Sequence, residues 1–406
     1  MKIAVVGMGY VGSVTAAVLA EAGNSIYAVD IDPMKIESLK NGKPLIHEPG
    51  LEEILQANKE RFTFSTSYEG IRGCDICILC VPTPNSSGRI ELKYVLEAAK
   101  RAGEIKPGIT LVIKSTVLPG TASRVASETK LTVVSNPEFT SEGRAVNDTR
   151  HPNRIVIGSG DSGAAQVVAD LWKFTASPVL ITNNANAELI KYASNSFLAT
   201  KISFINEIAN LCEKIPGADV SVVAKGMGYD HRIGSEFLRA GLGYGGSCFP
   251  KDTQALIGFA SDMNERLSVV EAAMSVNSAR EQRVLDLCKS ALGGNLDGGK
   301  ICVLGLSFKN DTDDLRESKS LTLISKLEGE GAQVRSFDPI VKGNSQKNRC
   351  DTLKECVSGS ELVVIATEWP EFKESLTDFH GTIVDARRIL DPGSVTKYRG
   401  VGLYSG

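Results

Sequence analysis

Lys2-Ile3-Ala4-Val5-Val6-Gly7-Met8-Gly9-Tyr10-Val11-Gly12 decides the fold. Residues 2–6 form a short apolar run, and Ser13 to Ala20 continues as a helix. A G-x-G-x-x-G alone is weak evidence, but here it lies between strand and helix. Ser25 to Val29 reads as the next strand and ends at Asp30, eighteen residues after Gly12. In that setting the first glycine makes the turn, the second admits a pyrophosphate, and the third lets helix and strand pack closely. The helix N-terminus attracts the phosphates. Asp30 would accept from ribose hydroxyls and repel a 2′-phosphate, so NAD is expected over NADP.

Outward from this motif the strand pattern repeats. Segment 36–56 reads as helical with a break at Gly42-Lys43-Pro44. Strands are expected at 76–81, 109–114, 131–135 and 155–157, and a helix at 162–172. Three of those strands run into Pro82-Thr83-Pro84, Lys114-Ser115-Thr116 and Asn136-Pro137-Glu138-Phe139. In a doubly wound sheet these turns share the carboxyl edge, where ligands sit. Thr83, Thr116 and Glu138 are therefore expected on one rim.

Ala185 to Lys214 holds neither proline nor glycine, and its apolar residues follow a period near 3.6. A thirty-residue helix spans roughly 45 Å and suits a spine between domains. Lys191 and Asn195, one turn apart, share a face. The Asn206-Glu207 pair is expected to serve packing or an interface. Gly226 to Gly234 reads as a loop carrying Arg232, and two helices are expected across 253–290.

Between them lies Gly243-Tyr244-Gly245-Gly246-Ser247-Cys248-Phe249-Pro250-Lys251-Asp252. The glycines imply a tight turn or close approach of a ligand. A thiol is a nucleophile only as thiolate, which a nearby ammonium stabilises. By itself such a loop fits a buried, inert cysteine equally well.

Residues 300–309 open a second strand and turn, a helix follows at 318–328, and 333–337 ends in Asp338-Pro339, echoing Val29 to Pro33. Further strands are expected at 362–366 and 382–386. This second nucleotide fold lacks the full glycine signature and is expected to bind a nucleotide-linked substrate instead of a dinucleotide. Lys309, Arg316 and Arg387 offer charge for phosphates. The fold class expected is α/β: two Rossmann-like doubly wound domains, 1–183 and 296–406, joined by a helical domain, 184–295, with a long spine helix that dimerises.

Composition narrows the function. A length of 406 residues implies two or three domains, and 42% hydrophobic with 23% charged residues is the balance of a soluble globular protein. A net charge of -3 gives no reason to expect nucleic acid or an anionic membrane. No apolar run approaches a membrane span. The strand-like start leaves no room for a signal peptide, and a cytoplasmic location is expected. Nine scattered cysteines suit a reducing compartment. Cys74, Cys77 and Cys80 have metal-like spacing. The segment reads instead as a buried strand, in which Cys77 should face opposite to the other two, and no metal is expected.

Eight ordered motifs carry a resemblance: Gly7 to Gly12, Glu48-Pro49-Gly50-Leu51, Val81-Pro82-Thr83-Pro84, Lys114-Ser115-Thr116-Val117, Asn136 to Phe139, Lys191-Tyr192-Ala193-Ser194-Asn195, Gly245 to Asp252, and Phe308-Lys309-Asn310-Asp311-Thr312. Over essentially its whole length the chain resembles the UDP-glucose/GDP-mannose dehydrogenase family. The resemblance implies oxidation of a sugar C6 alcohol to a carboxylate with two NAD⁺, UDP-glucose giving UDP-glucuronate for polysaccharide synthesis. It implies Cys248 as nucleophile through a thiohemiacetal and a thioester. Lys191, with Asn195, would stabilise the oxyanion. Asp252, with Thr116 and Glu138, would hold the reacting water.

For the cofactor it implies the Gly7, Gly9, Tyr10, Val11 and Gly12 turn with Asp30, Lys35, Thr83, Thr116, Glu142, Lys251 and Arg316. For the sugar nucleotide it implies Glu138, Phe139, Lys191, Asn195, Arg232, Tyr244, Gly245, Phe308, Lys309 and Arg387, with Arg232 reaching across a dimer. One departure concerns specificity: Thr140-Ser141-Glu142-Gly143 stands where many members have Leu-Arg-Glu-Gly. UDP-glucose leads as substrate, followed by GDP-mannose or a UDP-N-acetylhexosamine. A one-step 3-hydroxyacid-type dehydrogenase shares the first fold and a Lys-x-x-x-Asn helix but needs no cysteine nor second fold. A non-catalytic NAD-binding regulator would not need the lysine, cysteine and aspartate together.

Overall fold

A computed structural model describes residues 1–86, 88–343 and 347–404. The chain forms two compact units, Met1–Ser194 and Asn195–Gly406.

The first unit is built on an eight-stranded sheet. From one edge the order is Val179–Thr182, Ile155–Gly158, Val133–Ser135, Thr110–Ile113, Ile76–Leu79, Lys2–Val6, Ser25–Val29 and Phe62–Ser65. All neighbours run parallel except Val133–Ser135 against Ile155–Gly158. The strand order reverses beside Lys2–Val6, and the crevice at that switch point is where such sheets hold ligands. The central strands are apolar on both faces, as a sheet covered by helices on both sides requires. Ile3 and Val5 pack into one cluster, and Ala4 and Val6 into the other.

The three clustered cysteines obey this alternation only in part. Cys77 and Cys80 fall in opposite clusters, but Cys74 packs with Cys77. Cys74 ends the Glu69–Gly73 3-10 turn and precedes the strand, so strand alternation does not reach it.

Segment 36–56 resolves into helices Pro33–Lys40 and Leu51–Ala57, with Gly42 at φ 72 between them. Asp32 caps the first, accepting from Met34 N and Lys35 N. The spine helix runs from Asn184 to Cys212, 29 residues.

In the second unit a five-stranded parallel sheet has the order Gln333–Phe337, Lys300–Leu304, Leu362–Ile365, Thr382–Asp385, Tyr398–Gly400. Across 253–290 there are three helices, not two: Phe249–Asp262, Ser268–Ser278 and Arg280–Ala291. Pro250 fits the first turn of the first, where its missing N–H is not needed. Asn264, at φ 60, turns the chain after it. Gly226 and Gly228 belong to a Val220–Gly228 helix capped by Asp219, so the loop bearing Arg232 begins only at Tyr229. Ile205, Ala209, Leu242, Val284, Leu285 and Cys288 share one core with Ile301, Val303, Leu362 and Val364. The spine helix and the Arg280–Ala291 helix therefore bury apolar residues in the core of the second sheet. Among the described residues no helix is long and apolar enough to cross a membrane.

Candidate active site

In the first unit the glycine turn has the shape its spacing implies. Gly7 has φ +93, and a Cβ there would lie 2.6 Å from the Cys80 carbonyl oxygen. At Gly12 a Cβ would lie 1.8 Å from the Gly7 oxygen. At Gly9 it would meet nothing within 4 Å, so that side stands open for a ligand. No side chain caps the Tyr10–Glu21 helix, whose N-terminus follows Gly9. These features fit a dinucleotide pyrophosphate. Asp30 follows its strand and accepts from Met8 N at 2.7 Å, Asp32 N at 3.0 Å and Lys35 Nζ at 2.8 Å. A carboxylate has about four acceptor positions, so one remains for a ribose hydroxyl. The resident groups Gly7, Gly9, Tyr10, Val11, Gly12, Asp30 and Lys35 thus form one cluster.

Thr83, Thr116 and Glu138 follow the ends of three adjacent parallel strands, Ile76–Leu79, Thr110–Ile113 and Val133–Ser135. Glu138 is the most heavily bonded of them. Its Oε1 accepts from Lys191 Nζ at 2.9 Å, and its Oε2 from Thr140 N at 2.6 Å and Thr140 Oγ1 at 2.7 Å. Burial alone would raise its pKa. The Lys191 charge and these hydrogen bonds outweigh burial and hold it at about 2. Phe139, half-buried, lies under two cations: Arg154 at 3.8 Å and Lys191 at 5.5 Å from the ring centroid. Lys114 is buried with its Nζ 4.8 Å from the Trp172 ring centroid, and desolvation lowers its pKa.

Two carboxylates absent from the expected set organise this region. Glu188 accepts from Gly120 N at 2.7 Å, Ala122 N at 2.8 Å and Ser135 Oγ at 3.3 Å. It shares a small recess with Ser115, Thr116, Ser135 and Lys191. Desolvation raises its pKa to about 7. Its signal in sequence is its place one turn before Lys191. Glu48 accepts from the Tyr10 hydroxyl, from Gly143 N at 2.7 Å and from Val146 N at 3.1 Å. It joins the glycine-motif helix to the loop that carries Glu142, and its signal is the Glu48-Pro49-Gly50-Leu51 motif.

In the second unit Cys248 is the N-cap of the Phe249–Asp262 helix. It is partly exposed, and the other eight cysteines are buried. A negative charge forming on its sulfur would face the helix's N-terminal dipole. Ser247 Oγ lies 3.6 Å from Cys248 Sγ. Asp252, 1% exposed, accepts from Asn195 Nδ2 at 2.6 Å and Lys251 Nζ at 2.5 Å. Hydrogen bonds thus join Asn195, Lys251 and Asp252 within this unit, and Cys248 heads the helix that carries Lys251 and Asp252.

Tyr244, Gly245, Phe308 and Arg387 also come together. A Cβ on Gly245 would lie 2.1 Å from the Glu317 carbonyl oxygen, and one on Gly246 2.7 Å from the Phe308 ring. Arg387 donates to Ala366 O at 2.7 Å, Gly243 O at 3.4 Å and Phe308 O at 3.4 Å, tying the cysteine loop to the second sheet. Lys309 Nζ lies 5.5 Å from the Phe308 ring centroid. The Arg316 backbone joins this group, its carbonyl accepting from Gly246 N at 3.0 Å, whereas the Arg232 side chain donates to Asp230. Both arginine side chains are exposed, each paired with an aspartate two residues before it, Asp230 at 2.5 Å and Asp314 at 2.7 Å.

Comparison with known proteins identifies the family. Residues 1–175 match the model of the UDP-glucose/GDP-mannose dehydrogenase family NAD binding domain, residues 185–279 its central domain, and residues 302–392 its UDP binding domain. The UDP-glucose 6-dehydrogenase YwqF of Bacillus subtilis is 43% identical over 96% of this chain and 93% of its own. A UDP-glucose 6-dehydrogenase of Rhizobium meliloti is 40% identical over 98% of each. Among solved structures, a UDP-glucose dehydrogenase of Pyrobaculum islandicum superimposes with TM-score 0.92 at 37% identity, covering 99% of this chain and 98% of its own. A UDP-D-ManNAc dehydrogenase of Pyrococcus horikoshii gives 0.90 at 29% identity, covering 99% of each. With its glycine turn, its cysteine-capped helix and three consecutive domain matches, the chain belongs to the UDP-glucose/GDP-mannose dehydrogenase family of NAD-dependent enzymes.

Proposed function

We propose that this chain is a UDP-glucose 6-dehydrogenase, oxidising the sugar C6 alcohol to the carboxylate of UDP-glucuronate. One observation carries the cysteine chemistry: Cys248 alone among nine cysteines is not buried, and it caps the helix whose next turn presents Asp252. UDP-glucose is chosen over GDP-mannose or a UDP-N-acetylhexosamine because the relatives of 43% and 40% identity bear that name, whereas the UDP-D-ManNAc enzyme is 29% identical.

NAD, held by the Gly7–Gly12 turn and Asp30, supplies the hydride acceptor for both oxidations. Cys248 as thiolate adds to the aldehyde carbon formed first. A C–S bond forms, and the carbonyl electron pair moves to oxygen. Lys191, with Asn195, neutralises that oxygen. Oxidation of the thiohemiacetal leaves a thioester. Water held by Asp252, Glu138 and Thr116 adds to it, the C–S bond breaks, and the thiol regains its proton. Each sugar consumes two NAD⁺ and one water, and yields two NADH and three protons. Thr83, Lys35, Glu142, Lys251 and Arg316 complete the cofactor set. Phe139, Arg232, Tyr244, Gly245, Phe308, Lys309 and Arg387 form the sugar-nucleotide set, along a chain divided 1–183, 184–295 and 296–406.

Leu189, Phe197, Phe204 and Leu211 are 44%, 65%, 46% and 55% exposed on the spine helix. Their spacing of seven or eight residues forms one stripe and supports a homodimer along that helix. A monomeric mass by sedimentation at micromolar concentration would refute the dimer.

The test of function is stoichiometry. Purified protein with UDP-glucose and excess NAD⁺ should form two NADH per sugar, and Cys248→Ser should stop short of free acid. Full acid production by that variant at the normal rate removes Cys248 from the mechanism.

A further inference from the structure

Asn277 and Arg280 lie outside every motif considered so far, yet both are buried, 6% and 1% exposed, behind the cysteine loop. The Asn277 side chain treats Tyr244 as a strand would. Its Oδ1 accepts from Tyr244 N at 2.8 Å, and its Nδ2 donates to Tyr244 O at 3.0 Å. Three residues earlier the loop is gripped again. Arg280 Nε donates to Gly241 O at 3.0 Å, and Gly241 N donates to Asn206 Oδ1 at 2.8 Å. Arg280 Nη1 donates to Asn206 O at 3.3 Å and Asn210 Oδ1 at 2.6 Å, so this guanidinium is fastened to neutral acceptors. Burial lowers its pKa to about 10. A buried cation bonded only to neutral groups costs stability that a hydrophobic residue would not.

The loop lies flat on this brace. Gly243 has φ +97, and a Cβ there would lie 2.5 Å from Asn277 Oδ1. The connection to the sulfur is short. The Tyr244 ring meets Phe249 edge-on, centroids 5.9 Å apart, and Phe249 follows Cys248. Gly246 N is tied to Arg316 O at 3.0 Å.

We propose that Asn277 and Arg280 are positioning residues for Cys248: together they fix the Gly241–Gly246 backbone and so set the place and exposure of the thiol at the head of its helix. The proposal rests on the cysteine chemistry above only for its kinetic arm. Its other arm needs no substrate.

The experiment compares wild type with Asn277→Ala, Asn277→Asp and Arg280→Met in the full chain. Asn277→Asp keeps an acceptor for Tyr244 N but sets a carboxylate oxygen against Tyr244 O. Arg280→Lys is the conservative rescue. The first readout is the pH–rate profile of iodoacetamide alkylation at Cys248, followed by peptide mass. The second is kcat and KM for UDP-glucose. A misplacement of about 1 Å costs about 100-fold in rate. Folded Asn277 variants and Arg280→Met should therefore show a displaced alkylation profile and kcat reduced up to that extent, with KM within about threefold and with Arg280→Lys recovering most of the loss. If Asn277→Ala does not fold, Asn277→Asp decides. An unchanged alkylation profile in the folded variants overturns the proposal. Should wild type form no NADH from UDP-glucose, the functional reading fails, while a displaced alkylation profile still supports the brace.

Discussion

Replacing Lys191 with methionine tests the charge balance of the first unit. Lys191 and Glu138 form a 2.9 Å ion pair with side chains 3% and 6% exposed. Glu138 is held at about 2 against an ordinary 4.5. That depression corresponds to about 3 kcal/mol. In wild type this contribution is complete above pH about 4.5 and is lost as pH falls toward 2. Lys191→Met removes the cation but leaves burial, which only the Thr140 hydrogen bonds still oppose, so the carboxyl pKa rises. Against wild type the variant then loses stability as pH rises through that higher value. The deficit against wild type should thus grow from pH 5 to pH 8 and reach about 3–5 kcal/mol, the cost of orphaning a buried charge.

The chain's tryptophans make this measurable, because Trp172 lies in the first unit and Trp369 in the second. Trp172 Nε1 donates to Asn136 Oδ1 at 3.1 Å, two residues before Glu138. In a Trp369→Phe background, urea titrations followed by Trp172 fluorescence report the unit of interest. Glu138→Gln/Lys191→Met should recover most of the loss at pH 8. A deficit below about 1 kcal/mol, or one independent of pH, would mean that Glu138 is not held as a buried carboxylate by Lys191, and the assignment would fail.

Glu188 should behave in the opposite sense. Its pKa is raised from 4.5 to about 7, so its contribution is complete below pH about 4.5 and is lost as pH rises through 7. Glu188→Gln should lose less stability than wild type between pH 5 and 8, and matching pH slopes would refute the assignment. Asp30→Asn keeps an acceptor for Met8 N while removing the charge, and should weaken NADH binding by about 10- to 100-fold, the worth of a hydrogen bond to a charged group. Calorimetry giving wild-type affinity would remove Asp30 from the ribose contact.

Residues acting through local chain geometry were legible in the sequence, and those acting through packing were not. The Gly7–Gly12 turn, Asp30 and the strand-end positions of Thr83, Thr116 and Glu138 follow from strand–turn–helix periodicity. The Lys93–Ile105 and Thr121–Thr129 helices and the Phe62–Ser65 and Val179–Thr182 strands lie outside the elements expected. The two strands have four residues each and sit at the sheet edges, where a short run carries little pattern. Glu188, Asn277 and Arg280 act on backbone groups 66, 33 and 39 residues away, and no spacing rule reaches that far. The extra helix at 268–278 escaped because the breaks are one left-handed Asn264 and the single residue Ala279, not proline or glycine.

The two nucleotide folds begin alike and diverge at their acids. Gly7 N donates to Val29 O at 2.7 Å and Gly305 N to Phe337 O at 2.8 Å, with φ values of 93 and 95. After that shared turn Asp30 receives Met8 N, Asp32 N and Lys35 Nζ. Asp338, 1% exposed, receives Leu306 N, Ser307 N and Ser307 Oγ on one oxygen and Ile340 N and Val341 N on the other. Five donors exhaust a carboxylate. An acid in that condition fastens its own loop and has no acceptor left for a ribose. Any recognition by the second fold therefore uses groups other than Asp338. Phe308, with Lys309 Nζ 5.5 Å from its ring centroid, and Arg387, bonded to Gly243 O, are the members of the proposed sugar-nucleotide set that this fold supplies, and the closed Asp338 accounts for why it does not repeat the ribose contact of Asp30.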